Sequence, residues 1–299
     1  MPTSFPARRA RGPERDGPSR ESRAVLVTGC SSGIGRATAL ALHDAGWPVY
    51  ATARRVETLA DLAARGITVL PLDVDDEASM RAAVRRVEAD HGAVGVLVNN
   101  AGYAMQSPVE EADMAEVRAQ FDTNVFGLVR LTQLVLPGMR AQGWGRVVNV
   151  GSMAGRFTLP GGVFYHATKH AVEAISDGLR LEVAGFGIRV VLIQPGPVRT
   201  AFADTAIASI PEGSGPYAGF RHELATRYAG AYAEGNPTAV RSEDVAAVVV
   251  RAMRARRPRA RYAVGFVARA MIAARRLLPD AAWDAFVRTQ FPVPGGPRG

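Results

Sequence analysis

Tyr165 and Lys169 are the residues whose types and spacing best fit proton-transfer chemistry in this sequence. Because they are four residues apart, their side chains would lie one turn from each other on the same face of a helix. A tyrosine with an ordinary pKa of about 10 is a poor acid or base at neutral pH unless a nearby cation favours the phenolate. The ammonium group of Lys169 would supply that cation.

Lys169 is also the sole lysine among 36 basic residues, every other one being arginine. A compositional preference for arginine explains this bias. A lysine would then be retained only where arginine cannot replace a compact ammonium with an adjustable pKa. Chance survival is the alternative interpretation. A tyrosine and lysine at this spacing are common on helices, so their position in the fold decides their meaning.

Short apolar runs alternate with longer helical patterns along the chain, which indicates stacked βαβ units. Seven near-continuous apolar strands with helices between them predict a sheet covered on both faces. The fold class is therefore α/β, a doubly wound, seven-stranded parallel sheet of Rossmann type in three αβα layers, within one domain over residues 23–299. The predicted strands are Ala24–Thr28, Val49–Ala53, Thr68–Leu72, Val94–Asn99, Arg146–Val150, Arg189–Ile193 and Tyr262–Val264. The predicted helices are Ile34–Ala45, Glu77–His91, Met114–Gln142 with Gly143 as C-cap, Phe164–Gly185 and Ser242–Ala255.

Ser152 follows the fifth predicted strand in the sequence Val150-Gly151-Ser152, and Tyr165 opens a helix 13 residues later. In open α/β sheets, ligands bind beyond the carboxyl ends of the strands. Ser152, Tyr165 and Lys169 are therefore expected together at the rim where a cofactor and a substrate would meet.

A glycine-rich turn joins the first predicted strand to the first helix. It runs Thr28-Gly29-Cys30-Ser31-Ser32-Gly33-Ile34-Gly35 and has no P-loop lysine. Its glycines would let the backbone approach a pyrophosphate, and the helix N-terminus would offer unpaired N–H groups. An ordinary tight turn is the alternative, because such turns alone are weak evidence.

The spacing of this turn, together with the serine, tyrosine and lysine, resembles the short-chain dehydrogenase/reductase family in its compact single-domain branch. The resemblance covers about residues 24–265. It implies an oxidoreductase that interconverts a carbonyl and an alcohol by hydride transfer with a nicotinamide cofactor. Ser152 would bind the substrate oxygen, Tyr165 would act as general acid/base, and Lys169 would also hold the nicotinamide ribose. Asn124 would hold a water that connects Lys169 to solvent, unless it only bends its helix.

Charge at the end of the second predicted strand indicates which cofactor is preferred. A carboxylate there favours the ribose hydroxyl of NAD and repels the additional phosphate of NADP. The strand ends with Ala53 and Arg54, followed by Arg55, so the sequence predicts NADP(H), with NAD(H) less favoured. Ser31 would donate a hydrogen bond to the same phosphate. The alternative is a surface arginine pair in an arginine-rich protein.

Further cofactor contacts follow from the resemblance. Asp73 would bind the adenine amino group or else cap the following helix. The Asn99-Asn100-Ala101-Gly102 turn would line the adenosine, or its role would be mainly structural. The Pro195-to-Thr200 turn would contact the nicotinamide amide, or it would be an ordinary turn that ends the strand. The complete predicted cofactor set is Gly29, Ser31, Ser32, Gly33, Ile34, Gly35, Arg54, Asp73, Val74, Asn100, Ala101, Gly102, Tyr165, Lys169, Pro195, Gly196, Val198 and Thr200.

The substrate side is predicted from a long segment, residues 202–237, that breaks the strand–helix rhythm with aromatic residues, glycines and prolines. Such segments in compact domains are usually lids or binding loops. We expect Ser152, Met153 and Phe202 to contact the substrate. Several motifs look most like the 17-beta-hydroxysteroid dehydrogenase-like and retinol dehydrogenase-like group, which implies an apolar carbonyl or alcohol. The alternatives are a family epimerase or dehydratase and a non-catalytic NADP-sensing protein.

Both ends of the chain lie outside the resemblance. Residues 1–22 are rich in proline, glycine and charge and are expected to form a disordered tail. Residues 266–291 form a predicted helical segment with a basic amphipathic pattern. Such a face packs on its own domain or on a sister subunit more often than on a membrane, so membrane attachment is not expected.

Charge and composition set the remaining expectations. The net charge is +8 and the sequence pI is about 10.3, but the arginines are not clustered as a nucleic-acid surface requires. His166 and His170 have no acidic or cysteine partners at ligand spacing, so no metal is predicted. The single Cys30 and the lack of a signal or membrane segment predict a cytoplasmic protein, and a homodimer or homotetramer is expected.

Overall fold

Seven parallel strands form one sheet in the order β3-β2-β1-β4-β5-β6-β7. The computed structural model describes residues 21–233, 235–291 and 294. The strands are β1 Val25–Val27, β2 Val49–Ala53, β3 Thr68–Pro71, β4 Val96–Asn99, β5 Gly145–Val150, β6 Ile188–Pro195 and β7 Arg261–Val264. Valine, isoleucine and leucine fill the central strands because both faces of a parallel sheet are covered. The predicted sheet is confirmed, with small shifts at the strand ends.

Helices cover both faces of the sheet. They are α1 Gly33–Asp44, α2 Ala60–Ala64, α3 Glu77–His91, α4 Met114–Phe121, α5 Leu128–Gln142, α6 Val163–Glu182, α7 Phe202–Ala208, α8 Ala218–Tyr232, α9 Ser242–Arg254, α10 Phe266–Leu277 and α11 Asp280–Gln290. One buried cluster joins α1 and α9 to the sheet, and a second joins α3 and α5 to its other face. The doubly wound, three-layer arrangement is thus confirmed, and it brings the strand ends to one edge.

The long helix predicted over Met114–Gln142 is broken in the middle. A π-helical segment, Asp122–Gly127, separates α4 from α5. Within it, the Asn124 side chain bonds to both backbone groups of Tyr103 and to Thr168. These contacts come from other parts of the chain, so helical periodicity alone did not reveal the break. The predicted C-cap is confirmed, since Gly143 has a left-handed backbone with φ of 71°.

The segment predicted as a lid contains two helices that the sequence analysis did not identify. Helix α7 begins at Phe202 and α8 ends at Tyr232, with a glycine-containing connection between them. The prolines and glycines around them obscured the helical pattern. Within the described part of the lid, Phe220 and Leu224 are buried, which anchors α8 against the domain.

The chain ends differ in how far the structure describes them. Most of the predicted tail, residues 1–20, lies outside the described residues. Ser22, which was assigned to that tail, is buried; its hydroxyl donates to the Ala93 carbonyl at 2.5 Å and its N–H to the Gln142 side chain at 2.9 Å. The domain therefore begins slightly before Ala24.

The C-terminal segment folds as α10 and α11, close to its predicted bounds. Trp283 and Val287 of α11 pack with Phe157 in a separate buried cluster. These helices therefore rest on the domain beside the end of β5. No helix within the described ranges combines the length and the apolar character needed to cross a bilayer.

Candidate active site

One cavity of about 660 Å³ lies at the carboxyl ends of the strands. This volume is in the range of small-molecule and cofactor sites. Its walls come from loops that follow β1 to β6, together with α6, α7 and α8. Most of the predicted site residues line it: Gly29, Ser31, Ser32, Gly33, Ile34, Arg54, Asp73, Val74, Asn100, Ala101, Gly102, Ser152, Tyr165, Lys169, Pro195, Gly196, Val198, Thr200 and Phe202.

The glycine-rich turn closes tightly over the end of β1. A Cβ atom at Gly35 would collide with the Gly29 carbonyl and the Asn100 side chain. Asn100 donates from its amide to the carbonyls of Thr28, at 2.9 Å, and Gly29, at 3.0 Å. Gly35 therefore allows the turn to pack and does not line the cavity itself, whereas Asn100 combines the structural role with a place in the cavity wall.

The N-terminus of α1 faces this cavity. Ser32 occupies the N-cap position but makes no side-chain capping hydrogen bond. The first N–H groups of a helix need partners, and together with the helix dipole they favour an anion. A pyrophosphate fits this cradle, because the glycines leave the backbone open and no acidic side chain occupies the first turn.

Arg54 lies at the cavity rim after β2 and is exposed, while Arg55 does not line the cavity. Among the described residues of the cavity wall, the acidic ones are Asp73 and Asp75, which follow β3. The Asp73 carboxylate accepts from the Asp75 N–H at 3.1 Å. Asp76, not Asp73, caps α3 by accepting from Ala78, so the capping alternative for Asp73 is wrong.

Ser152, Tyr165 and Lys169 meet at the end of β5. The Ser152 side chain accepts from the Ala154 N–H at 3.1 Å and lies beside the Tyr165 hydroxyl. The Lys169 ammonium donates to the Val150 carbonyl at 3.0 Å and lies 5.6 Å from the centre of the Tyr165 ring. The structure thus brings these three groups together, as predicted. The backbone carbonyl at the end of β5 holds the lysine.

Burial dominates the ionisation of this group. Burial raises the pKa of Tyr165 above its usual value, the nearby Tyr232 adds to the increase, and the Ser152 hydroxyl opposes it. Burial also lowers the pKa of Lys169 to about 8. The expectation that Lys169 would favour the phenolate is therefore outweighed here: Tyr165 is held as a protonated phenol at neutral pH.

Asn124 completes this end of the site from the π-helical segment. Its carbonyl oxygen accepts from the Tyr103 N–H at 3.0 Å, and its amide donates to the Tyr103 carbonyl at 2.8 Å. A Cβ atom at Gly102 would approach both the Asn124 amide oxygen and the Lys169 ammonium. The absence of a side chain at Gly102 therefore leaves room for the Asn124 side chain on the side that faces Lys169. Asn124 lies in the segment where the helix changes from α to π geometry, and its role in holding a water stays a prediction.

The family follows from the match to known proteins. A family model described as short chain dehydrogenase covers residues 23–209. The chain is a short-chain dehydrogenase/reductase. A probable short-chain type dehydrogenase/reductase of Helicobacter pylori is 32% identical over 88% of this chain and 96% of its own length.

Solved structures share this fold. A short-chain dehydrogenase from Streptomyces avermitilis has a TM-score of 0.74 at 34% identity, over 90% of this chain and 96% of its own. A serine dehydrogenase complexed with NADP+ has a TM-score of 0.71 at 30% identity, over 82% of this chain and 95% of its own. More distant fold neighbours, below 25% identity, were solved with NADP or with NAD.

Met153 of this short-chain dehydrogenase does not lie where a substrate contact was predicted. It does not line the cavity and packs instead beside the buried cluster of Phe157, Trp283 and Val287. Phe202 does line the cavity, with its ring centre 5.5 Å from that of Tyr165. Of the three residues predicted to contact the substrate, Ser152 and Phe202 therefore line the cavity and Met153 does not.

Several residues of the cavity wall were not predicted as site residues, chiefly Tyr103, Thr205 and Tyr232. Tyr232 and Tyr228 are one turn apart on α8 and stack with ring centres 5.9 Å apart. Their spacing of four residues could have signalled a shared helical face. Thr205 and Tyr103 carry no such signal.

The two histidines of the tyrosine helix bond to backbone carbonyls. His166 is buried and bonds through Nδ1 to the Phe157 carbonyl at 2.8 Å, and burial lowers its pKa to about 4. His170 Nδ1 lies 2.9 Å from the His166 carbonyl. Across the residues that the structure describes, no cluster of histidine, cysteine and acidic side chains is suited to a metal.

A buried ion pair anchors the segment that was predicted as a lid. Arg221 of α8 is almost fully buried; its guanidinium donates to the Glu111 carboxylate and to the Gly213 carbonyl, at 2.5 and 2.6 Å. The residue before Glu111 is also a glutamate, and the Glu110 carboxylate accepts from the exposed Tyr217 hydroxyl at 2.8 Å.

We expect Glu111→Ala to destabilise the protein by about 3 kcal/mol, because breaking a buried pair leaves one charge uncompensated. Unfolding in urea would measure the loss, and limited proteolysis of the 209–217 connection would locate it. Glu110→Ala is the matched control, and its loss should be about 1 kcal/mol or less. Equal losses in the two variants would contradict the anchoring role of Arg221.

Proposed function

We propose that the protein is an NADP(H)-dependent oxidoreductase that interconverts an apolar ketone or aldehyde and its alcohol, with Tyr165 as general acid/base. The observation that carries the proposal is the meeting of Ser152, Tyr165 and Lys169 in the wall of one cavity, with Lys169 buried beneath the tyrosine. The family relationship supports oxidoreductase chemistry.

The chain's residues divide the work between two ends of the cavity. The glycine turn, the α1 N-terminus and Arg54 would bind the phosphates of the cofactor, and the Pro195-to-Thr200 turn would lie near its nicotinamide. When bound, NADPH supplies the hydride that reduces the carbonyl carbon. No metal-ligand cluster is needed for this chemistry.

The reacting end handles the proton. The Ser152 hydroxyl donates a hydrogen bond to the carbonyl oxygen and orients it, and the buried, protonated Tyr165 hydroxyl then donates its proton to that oxygen. Lys169 stabilises the resulting phenolate through its positive charge. Asn124 positions the loop of Tyr103 beside Lys169, on the side from which a proton would be returned.

An apolar substrate is supported by the walls around Tyr165. The rings of Phe202 and Tyr232 and the small side chain of Ala201 line this part of the cavity, and among the described residues Lys169 is the one charged group beside Tyr165. This character fits the 17-beta-hydroxysteroid or retinol dehydrogenase-like group better than a dehydrogenase of a charged amino acid. A cytoplasmic homodimer or homotetramer remains part of the proposal.

Oxidation of NADPH by the purified protein, measured at 340 nm against a panel of apolar ketones and aldehydes, tests the activity. We expect turnover with several members of the panel. Tight NADPH binding without turnover of any carbonyl would contradict the proposal and support the non-catalytic sensor.

Cofactor preference is expected to depend on Arg54. Arg54→Ser should weaken NADPH binding by about tenfold or more while leaving NADH affinity nearly unchanged, because charge-assisted hydrogen bonds to the phosphate are lost. Adding Ala53→Asp should raise the preference for NADH further. Fluorescence titration with both cofactors measures the affinities.

Arg55→Ser is the matched control, because it removes the same charge from the adjacent position, which does not line the cavity. It should change NADPH affinity little. A wild-type protein that binds NADH more tightly than NADPH would overturn the assignment.

A further inference from the structure

A buried glutamine next to the start of the tyrosine helix has no hydrogen-bond partner for its side chain. Gln106 is fully buried, and neither its amide oxygen nor its amide nitrogen is paired among the described residues. Its backbone, in contrast, is fixed: the Gln106 N–H donates to Ser209 at 2.8 Å, and the Ser107 N–H donates to the Gly161 carbonyl at 2.7 Å. A rigidly held, unpaired amide in a protein interior calls for a partner.

The amide lies at one end of a row of aromatic hydroxyl groups that leads to Tyr165. The Tyr228 hydroxyl is near the Gln106 amide, but outside hydrogen-bonding geometry. Tyr228 stacks on Tyr232, and Tyr232 lines the same cavity as Tyr165. The side chains between Gln106 and the Tyr165 hydroxyl are thus Tyr228 and Tyr232, whose hydroxyls can both donate and accept hydrogen bonds.

The absence of a side chain at Gly162 lets His166 and the Gln106 amide lie close to the start of α6. A Cβ atom there would lie 3.0 Å from His166 Nε2 and 3.1 Å from the Gln106 amide oxygen. Because the His166 ring is neutral and donates through Nδ1 to the Phe157 carbonyl, its Nε2 is an acceptor. The region therefore offers both donors and acceptors.

Among the described residues, no charged side chain acts on Tyr228 or Tyr232. Burial raises the pKa of Tyr228 and of Tyr232, so both are neutral, and His166 is neutral as well. The two arginines of α8 each face a carboxylate, Arg221 that of Glu111 and Arg227 that of Glu223. A charged substrate group would be desolvated here without a counter-ion, which is unfavourable.

We propose that the amide of Gln106, with the hydroxyls of Tyr228 and Tyr232, binds a second, uncharged hydrogen-bonding group of the substrate, remote from the carbonyl. The substrate class is a largely apolar ketone or aldehyde that carries a hydroxyl or a second carbonyl further along its skeleton. This inference rests on the proposed carbonyl-reducing function and adds the substrate class to it.

The test compares linear methyl ketones of increasing chain length with analogues that carry a terminal hydroxyl. For wild type, kcat/KM at one or more lengths should be about threefold to tenfold higher for the hydroxylated ketone, as one net hydrogen bond provides. Gln106→Leu should abolish this preference without lowering kcat/KM for the unsubstituted ketone. Tyr228→Phe, which retains the ring stack, should reduce the preference in the same direction.

Stability separates this role from a structural one. Removing an unpaired buried amide should leave the melting temperature of Gln106→Leu equal to or above that of wild type. Thr38→Val is the matched control, because the Thr38 hydroxyl is also buried and unpaired but lies on α1; it should not alter the preference.

The outcomes are distinct. Reduction of plain and hydroxylated ketones at equal rates, or a preference that survives in both Gln106→Leu and Tyr228→Phe, would overturn the subsite while leaving the proposed activity intact. A lower melting temperature in Gln106→Leu would show that its amide is a structural bond. Failure to reduce any ketone would overturn the activity and the subsite together.

Discussion

Replacing Tyr165 with phenylalanine is expected to lower turnover by about 10²- to 10⁴-fold, because the transferable proton is removed while the ring remains. The ring of Tyr165 packs against Phe202, with centres 5.5 Å apart, and this contact should persist. NADPH affinity is expected to change little. Stopped-flow reduction of an accepted ketone and fluorescence titration with NADPH would separate the chemistry from the binding.

Tyr103→Phe is the control for this substitution. Tyr103 lines the same cavity, and its backbone, not its hydroxyl, holds Asn124. Its loss of turnover should be small. Near wild-type turnover in Tyr165→Phe would mean that another group delivers the proton, and the proposed mechanism would fail.

Replacing Lys169 with arginine is expected to lower turnover by about 10²-fold or more and also to weaken NADPH binding. The ammonium is buried and donates to the Val150 carbonyl at 3.0 Å, and a planar guanidinium is too large for this position. Arginine also keeps its proton, whereas the pKa of Lys169 is lowered to about 8. The same kinetic and titration measurements apply, and unchanged values for both would contradict the role given to Lys169.

The buried lysine should also leave a signature in stability. Its pKa is about 10.5 when unfolded and about 8 when folded, so the unfolded state binds more protons between these values and stability rises with pH across that window. Lys169→Met removes the cost of burying the cation. The variant should therefore be more stable than wild type at pH 7, and this advantage should shrink as the pH rises from 8 to 10.

Urea unfolding of the two proteins at several pH values measures this difference. Because Cys30 and the buried tyrosines are common to both, their own titrations cancel in the comparison. A constant difference across the window would mean that Lys169 keeps its ordinary pKa in the folded protein.

The fold and the reacting group were predictable because their signals are local. The strand and helix periods, the glycine turn and the tyrosine–lysine spacing each lie within a short stretch of sequence. The positions of Ser152 and Tyr165 then followed from a general property of parallel sheets, whose carboxyl ends share one edge.

The parts that escaped prediction depend on contacts between distant segments. Asn124 changes its helix from α to π through bonds to Tyr103 and Thr168, which lie 21 and 44 residues away. Met153 has an apolar side chain that fits either a cavity wall or a packed cluster, and only the position of α11 decides between them. The Gln106 region likewise joins four segments that no sequence pattern connects.

The π-helical segment Asp122–Gly127 also fixes the relative phase of the two helices that it joins. A π turn contains one residue more than an α turn, so it is equivalent to a single-residue insertion in a continuous helix. Without that residue, Val117 and the rest of α4 would rotate by about 100° relative to α5. The buried face of α4 and the inward position of Asn124 could then not both be kept. The number of residues between Met114 and Gln142 is therefore fixed, because the loss or gain of one residue would rotate α4 against α5. Side chains on the outer face are not restricted in this way.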